Sequence, residues 1–418
     1  MRTAALFLSI IVPILAAPVP AFAAPVPAFA APGQNCAKPG RDQIDGSWPR
    51  AMLQADAVTP LENGAGITVA VLSTGVDAGQ PQFGNRVLAG AGVIGAGRAN
   101  QDCTGTGTQV AGVISGQRAG GDNDVAGLSP ASRILPVRVM LDDPAGSEPT
   151  ANSLAQGITV AVQNGADVVV VAEPVYDDDR DLEAAVATAA ARNVVVVAAV
   201  GDLGGPDEPN PKPYPASYPN VLGVGAIDQT GRIWPDSQRG GFVDLVAPGV
   251  AVPTLQTGRG LVEVDGTAVA AGFVGAAAAL TRARRPGLTA AETARHLVAT
   301  ASPAPTGPAF GAGVINPYAA LTAQVVDTGA RRLPALQAPP PSADATELQR
   351  RTIALTGAGI AAVLVLALLL AAAAVRRSRR RHWRPGLAPH LHSPPEPLEP
   401  GPPVMLLDAE PVESAPRR

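Results

Sequence analysis

Short apolar runs alternate with amphipathic segments through the middle of the chain. The first run, 67–72, is uninterrupted and β-branched and ends in Ser73-Thr74-Gly75, which is typical of a buried parallel strand that opens into a loop. In open α/β sheets that end of a strand is where ligands and catalytic groups gather. Further strands are predicted at 133–140, 167–172, 193–199, 221–226 and 243–246.

Helices are predicted between these strands. They cover 109–115, 151–164 and 181–192, and a small-residue helix begins near Ala268. Thr289 and Glu292 form a capping box, which predicts a further helix to about residue 300. Strands that alternate with helices at this spacing predict βαβ units. The expected fold class is therefore α/β, a three-layer sandwich with a mostly parallel sheet.

Two other apolar segments lie near the ends of the chain. The first follows a short basic start and precedes a tandem AAPVPAF repeat, which predicts a secretory signal peptide over 1–30 with cleavage after Ala23 or Ala30. A retained membrane anchor is the alternative. The second, 352–375, has no charge and is long enough to cross a bilayer, so a transmembrane helix is favoured over a buried core helix.

Arginines flank the second segment unequally. Six follow it, at positions 376, 377, 379, 380, 381 and 384, and two precede it. This asymmetry predicts a single-pass protein of the cell membrane with an extracytoplasmic N-terminal domain and a cytoplasmic C-terminus. The expected organisation is a signal peptide (1–30), an N-terminal arm (31–65), a folded domain (66–325), a Pro-rich stalk (326–351), the transmembrane helix (352–375) and a basic, then Pro-rich cytoplasmic tail (376–418).

The net charge bears on the possible partners, and the two cysteines bear on a disulfide. Residues 31–351 contain 30 acidic and 22 basic side chains, a net charge of −8, which disfavours nucleic acid as a partner. Cys36 and Cys103 both lie in the exported part, where an oxidising compartment favours a disulfide between them. The sequence specifies no oligomeric state.

Four stretches, in matching order, resemble the subtilisin-like serine proteases. They are ITVAVLSTGVD (67–77), DCTGTGTQVAGVISG (102–116), VVVVAAVGDLG (194–204) and VDGTAVAAGFVGAAAAL (264–280). Further marks resemble the mycosins, the membrane-anchored subtilases of type VII secretion systems. These marks are Cys36, the Asp102-Cys103 pair, YPASYPNVLGVGAID (214–228), VDLVAPG (243–249), FGAGVINPYAAL (310–321) and the C-terminal apolar segment.

The resemblance implies a catalytic site whose residues this chain has replaced. The triad-equivalent positions hold Ser73 where the family has aspartate, Thr106 where it has histidine and Ala268 where it has the serine nucleophile. The position of the oxyanion-binding asparagine holds Asp202, whose charge would repel a developing anion. A serine or threonine hydroxyl is not basic enough to activate another hydroxyl near neutral pH. The resemblance implies no cofactor.

Other residues do not supply a substitute site. His296, the one histidine of the exported part, is predicted to lie on the solvated side of its helix, and with two bridged cysteines it makes no metal site. The acidic run 177–183 is interpreted as complementing a helix N-terminus, with a calcium site or a partner surface as alternatives. Glu173-Pro174 stands where the family has Ser-Leu-Gly along the substrate groove, and proline removes a backbone donor.

Three functions are compatible with these observations. The favoured hypothesis is a membrane-anchored mycosin-like pseudoprotease that acts as a structural component of a type VII secretion complex, with the membrane components of that system as partners. The first alternative is a regulatory pseudoprotease that binds peptides in the groove that holds the substrate in the protease family. The second is a serine-type endopeptidase with a different catalytic mechanism.

Overall fold

The computed structural model describes residues 36–44, 48–95, 97–118, 125–142, 148–205, 210–324 and 343–381. The chain divides into two compact units, Met1–Asp327 and Thr328–Arg418. The predicted signal peptide, the stalk before residue 343 and the tail after residue 381 lie outside the described residues.

A seven-stranded sheet forms the centre of the first unit. Its strands lie in the order β2-β3-β1-β4-β5-β6-β7, and every neighbouring pair is parallel. Valine and alanine dominate the inner strands, whose residues are buried because helices cover both faces of the sheet. The strands are β1 (Thr68–Ser73), β2 (Ala91–Gly92), β3 (Arg133–Arg138), β4 (Val168–Val171), β5 (Val195–Ala199), β6 (Val221–Ile227) and β7 (Leu245–Pro248).

Helices pack on both faces, so the predicted three-layer α/β sandwich is confirmed. The helices are α1 (Trp48–Met52), α2 (Ala55–Val58), α3 (Thr106–Ser115), α4 (Ala151–Gln163), α5 (Arg180–Ala191), α6 (Thr267–Arg284), α7 (Ala290–Ala299) and α8 (Pro317–Thr322). One apolar cluster joins the sheet to α4 and α5, and a second joins its other face to α3 and α6.

The small residues of α6 let it lie close to α3. A side chain at Gly272 would place its Cβ 2.6 Å from a methyl group of Val113, closer than packed atoms approach. Because α6 is buried over nearly its whole length, the Gly- and Ala-rich composition serves packing, and it brings the first turns of α3 and α6 to the same edge of the sheet.

Side chains of the N-cap residues cap the N-termini of α4, α5, α7 and α8. Asp179 accepts hydrogen bonds from the backbone N–H groups of Asp181 and Leu182 at the start of α5. The acidic run therefore does what the sequence analysis favoured, stabilising a helix N-terminus. The predicted capping box of Thr289 and Glu292 is present at the start of α7.

The N-terminal arm lies along a two-stranded hairpin that the sequence analysis did not predict. The hairpin pairs β8 (Val252–Leu255) with β9 (Leu261–Val264), and Arg41 forms an antiparallel bridge to Leu261. The predicted disulfide joins Cys36 to Cys103. The short helices α1 and α2 are separate because Gln54 between them adopts a left-handed conformation.

The prediction for His296 is wrong. Its side chain is buried, only 7% of the residue is exposed, and Nε2 lies 2.7 Å from the carbonyl oxygen of Ala320. The helical wheel of α7 alone placed this histidine on the polar side. In the fold α8 packs against that side, so the imidazole is covered and bonded to the backbone there.

The second unit is described as one helix, α9 (Ala343–Arg380). Its part from Glu347 to Arg380 is long and apolar enough to cross a membrane. The helix contains the whole predicted segment 352–375 and also takes in residues 343–351, which the sequence analysis assigned to the stalk.

Candidate functional site

The turn after β1 and the start of α3 are held together by one buried carboxylate. Asp102 accepts hydrogen bonds from the hydroxyls of Thr74 (2.9 Å) and Thr108 (2.6 Å) and from the backbone N–H groups of Gly105 and Thr108 (2.8 Å each). The oxygens of Asp102 are thus saturated by donors, and the carboxylate lies at the positive end of the α3 dipole. Burial nevertheless raises the pKa of Asp102, because desolvation outweighs these hydrogen bonds.

Ser73 and Thr106 lie at this junction. Ser73 is the last residue of β1, is fully buried, and its Oγ has no hydrogen-bond partner among the described residues. Thr106 is the first residue of α3 and is partly exposed. Gly107 contacts the carbonyl of Gly75 so closely that a side chain would not fit, which brings the two segments into direct backbone contact.

The N-terminus of α6 is capped by Asp202. Its Oδ1 accepts hydrogen bonds from the backbone N–H of Thr267 (2.9 Å) and from the Thr267 hydroxyl (2.6 Å). The same hydroxyl accepts the backbone N–H of Gly201 (3.0 Å), so the loop after β5 is tied to the helix. Ala268 is the second residue of α6 and is buried. The anion-binding N-terminus of α6 is therefore occupied by a carboxylate of the protein itself, that of Asp202.

A small cavity beside Asp202 contains further carboxylates. Its volume is about 140 Å³, and its lining includes Glu148, Glu173, Tyr176 and Asp202. Burial, then the negative charges of Asp202 and Glu148, raise the pKa of Glu173 to about 7. Burial and the same neighbouring charges raise the pKa of Tyr176 to about 12. These shifts indicate a region of negative potential next to the start of α6.

The Asp202 residue is exposed over part of its surface, yet the pKa of its carboxyl group is raised. Desolvation against the helix is the largest cause, and the charges of Asp236 and Asp265 add to it, while the hydrogen bonds from Thr267 oppose the increase.

The structure brings the four predicted site residues to the carboxyl-terminal edge of the sheet. Ser73 ends β1, Asp202 follows β5, and Thr106 and Ala268 lie in the first turns of α3 and α6. None of these four side chains is an imidazole, and the one carboxylate among them, Asp202, is hydrogen-bonded to Thr267. His296, the imidazole of the first unit, is bonded to α8 instead. Within the described ranges, no group of three or more His, Cys, Asp or Glu side chains is arranged to hold a metal ion.

Sequence reasoning missed two features of this edge. Asp102 was read only as the neighbour of Cys103, although aspartate shortly before a helix is a capping signal and could have been recognised. The closeness of Glu148, Glu173 and Asp202 could not be read from the sequence, because the three carboxylates come from separate loops that only the fold brings together.

The parallel sheet covered on both faces and the buried Gly-Thr start of α6 define an α/β protein with a subtilisin-like fold. The chain belongs to the subtilase family, whose model matches residues 64–328. Subtilisin BL from Lederbergia lenta is 34% identical over 257 residues, which are 62% of this chain and 91% of that protein.

Within that family the chain is mycosin-like. Mycosin-1 from Mycobacterium tuberculosis is 33% identical over 398 residues, covering 80% of this chain and 86% of mycosin-1. The crystal structure of MycP1 from Mycobacterium smegmatis has 28% identity and a TM-score of 0.63, over 73% of this chain and 93% of that one.

One structural relative comes from a larger assembly. A chain in the periplasmic assembly of the ESX-5 inner membrane complex has 28% identity and a TM-score of 0.63, over 73% of this chain and 91% of that chain. The family relationship thus extends to a chain solved within a type VII secretion membrane complex.

Proposed function

We propose that this protein is a mycosin-like pseudoprotease, a membrane-anchored structural component of a type VII secretion complex that does not hydrolyse peptide bonds. The observation that carries the proposal is the Asp202 carboxylate bonded at the N-terminus of α6. A subtilase needs that end of the helix and the neighbouring asparagine to stabilise a developing oxyanion. An anionic side chain there favours the opposite charge.

The chemistry of the three other positions supports the same conclusion. In the triad mechanism a histidine takes the proton of the nucleophile and an aspartate orients it. The hydroxyl of Ser73 is buried, Ala268 has no hydroxyl, and the hydroxyl of Thr106 lacks the histidine that would take its proton, because His296 is bonded to α8. Loss of triad members leaves roughly 10³- to 10⁴-fold acceleration over water, which depends on an intact oxyanion hole.

Activity-based labelling tests the loss of catalysis. The full chain in detergent is incubated with a fluorophosphonate probe and with broad peptide libraries, beside a subtilisin as positive control. We expect neither labelling nor cleavage above the level of the heat-denatured protein. Labelling of any residue by the probe would contradict the proposal and would support a serine-type endopeptidase with a different mechanism.

Restoring the family residues tests whether the chemistry alone is missing. The variant combines Ser73→Asp, Thr106→His, Ala268→Ser and Asp202→Asn, and its matched control carries the first three changes only. If Asp202 blocks the oxyanion site, hydrolysis should appear in the fourfold variant and remain at least tenfold lower in the control. A folded fourfold variant without hydrolysis would show that the substrate groove has also changed.

Membership of a secretion complex is tested with the intact protein in its membrane. The assembly relative solved in the ESX-5 inner membrane complex supports this part of the proposal. Crosslinked cells are solubilised in detergent, the tagged chain is purified, and its neighbours are identified beside an unrelated tagged single-pass protein. We expect enrichment of type VII secretion membrane components. Recovery of the same proteins with the unrelated control would contradict it.

A peptide-binding regulatory pseudoprotease is the second candidate. The cavity of about 140 Å³ at the loop that holds Glu173 and Pro174 favours it, because one side chain of a peptide could enter there. The crosslinking experiment separates the two functions: a soluble secreted protein as the main neighbour supports capture, and membrane components support a structural role.

A further inference from the structure

A second and larger cleft lies away from the carboxyl-terminal edge of the sheet, beside the first residues of β6 and β7. Its volume is about 780 Å³, within the range of sites that bind organic ligands. Its wall combines aromatic, glycine and cationic residues, among them Tyr218, Phe242, Gly240, Lys212, Arg239 and Ser217. The small cavity beside Asp202 has none of these residues in its lining.

Two polar groups in this cleft lack partners. Nε of Arg239 and Oγ of Ser217 are shielded from solvent and have no hydrogen-bond partner among the described residues. Among those residues the guanidinium of Arg239 also forms no ion pair, although the backbone N–H of the same residue donates to Asn210. A shielded donor without an acceptor costs roughly 1 to 3 kcal/mol, more for a charged group, so the site is incomplete as it stands.

The charges around the cleft favour an anion. Lys212 lies on its rim, with Nζ 5.3 Å from the centre of the Tyr214 ring. The one carboxylate of the lining, Asp244, accepts the backbone N–H of Gly223 at 2.9 Å and makes no ion pair with Arg239 in the described structure. Among the described lining residues, two cations therefore face one carboxylate that is already hydrogen-bonded, so this part of the lining is net positive in a domain that is acidic as a whole.

We propose that this cleft binds a carboxylate of a partner protein, either an acidic side chain or a C-terminal carboxylate. A guanidinium presents its N–H groups in a planar fork that matches the two oxygens of a carboxylate. Tyr218 and Phe242 give apolar contact to the rest of a peptide. The proposal does not depend on whether the subtilase site is inactive, since the two sites have no residue in common.

Peptide binding to the full chain in detergent micelles tests the proposal. The probes are fluorescein-labelled hexapeptide pools with both ends capped, one with a fixed central glutamate and one with glutamine, and the measurement is fluorescence polarisation. A third pool has glutamine at the centre and a free C-terminus, which separates a terminal from a side-chain carboxylate. We expect binding to the glutamate pool, the free-terminus pool or both, and at least tenfold weaker binding to the capped glutamine pool.

Matched variants assign the binding to the cleft. Arg239→Gln should weaken the binding of the carboxylate pools at least tenfold, while Arg232→Gln should leave it unchanged. Arg232 is an exposed arginine paired with Asp228, so its replacement changes the net charge equally outside the cleft. If Arg239→Gln does not fold, Lys212→Gln at the exposed rim replaces it, with a smaller expected loss.

Three binding results would overturn the proposal, and one competition result would do so as well. They are the absence of binding by all carboxylate pools at millimolar concentration, equal binding of the capped glutamate and glutamine pools, and an Arg232→Gln effect as large as that of Arg239→Gln. Competition by inorganic phosphate at lower concentration than acetate would also contradict a carboxylate site, because it would indicate a general anion preference.

Discussion

At the scale of single residues, the hydroxyl of Ser73 is a buried polar group at the end of β1. It has no hydrogen-bond partner among the described residues. A buried hydroxyl without a partner carries a desolvation cost, because it gives up its hydrogen bonds to water and gains none in the fold.

Ser73→Ala should stabilise the protein. Removing a buried unsatisfied hydroxyl eliminates its desolvation cost, so we expect a gain of about 1 kcal/mol in the free energy of unfolding, measured by urea denaturation. Ser132→Ala is the matched control, because the Ser132 hydroxyl donates to the carbonyl of Gly64. Its removal should therefore lower the free energy of unfolding. A loss of stability in Ser73→Ala similar to that of the control would show that the Ser73 hydroxyl is bonded in solution.

Glu173→Gln should make stability less dependent on pH. Its pKa is raised in the folded state to about 7 from an ordinary value of 4.5, so the folded state holds the proton more tightly. Stability from this group is present below pH 4.5 and is lost as the pH rises through 7. We expect wild type and Glu173→Gln to be equal at pH 4 and the variant to be more stable at pH 8 by about 1 to 2 kcal/mol, allowing for the partly open cavity.

Thermal unfolding of both proteins at pH 4, 6 and 8 measures this difference. Glu183→Gln is the control, because Glu183 lies on the exposed first turn of α5. A variant that is more stable than wild type by the same amount at all three pH values would contradict a titration in this window.

At the scale of elements, the first turn of α3 depends on Asp102. Four donors from the β1 turn and the helix start converge on its two oxygens. The helix begins at Thr106, three residues before the predicted start, because this cap satisfies N–H groups that the apolar pattern cannot indicate.

Asp102→Ala should destabilise the protein by roughly 3 kcal/mol, since several buried donors lose a charged acceptor at once. Asp142→Ala is the control. Its carboxylate also accepts two backbone N–H groups, those of Cys103 and Thr104, but it lies nearer the surface, so we expect about 1 kcal/mol. Equal losses in chemical denaturation would show that burial of Asp102 does not matter.

The arm and the hairpin form a second element-scale unit. The Cys36–Cys103 disulfide closes a sequence separation of 67 residues and holds the arm beside the loop before α3. Replacing both cysteines by serine should cost about 2 to 4 kcal/mol, as in loop-entropy models of crosslinks of this length. The protease sensitivity of residues 37–44 should rise first, while the sheet remains folded; limited proteolysis with mass spectrometry measures this order. Simultaneous loss of the arm and the sheet would contradict it.

At the scale of the whole molecule, a folded domain and an apolar helix are joined in one chain. The helix α9 carries arginines in its last turn, at 377, 379 and 380, and no described residue of its central apolar part is charged. With the positive-inside rule, this distribution favours a cytoplasmic C-terminus.

A tag after residue 418 should be inaccessible in intact spheroplasts and accessible after permeabilisation. A second tag in the folded domain should be accessible in both states if the domain is extracytoplasmic. The matched variant replaces Arg376, Arg377, Arg379 and Arg380 by glutamine, which removes the asymmetry and should produce mixed orientations. A C-terminal tag that is accessible in intact spheroplasts would contradict the proposed topology.

Much of the fold and of the candidate site could be predicted from the sequence. Apolar β-branched runs such as 67–72 and small-residue helices such as α6 predict a parallel sheet covered on both faces by helices. This arrangement is confirmed. The positions of Ser73, Thr106, Ala268 and Asp202 could be located because the glycines and apolar residues around them keep their spacing. The β8–β9 hairpin was missed because each strand has only four residues, too few to show a period, and β8 contains Pro253, which argues against a strand.

What the sequence by itself determined was the order of the elements and the identity of the groups at the sheet edge, because both follow from local periodicity and residue type. Tertiary structure alone decided that His296 is buried, that Asp202 bonds to Thr267, and that Arg239 Nε and Ser217 Oγ have no hydrogen-bond partner among the described residues. These outcomes depend on contacts between segments far apart in the chain. Whether a polar group is buried depends on the segments that pack against it.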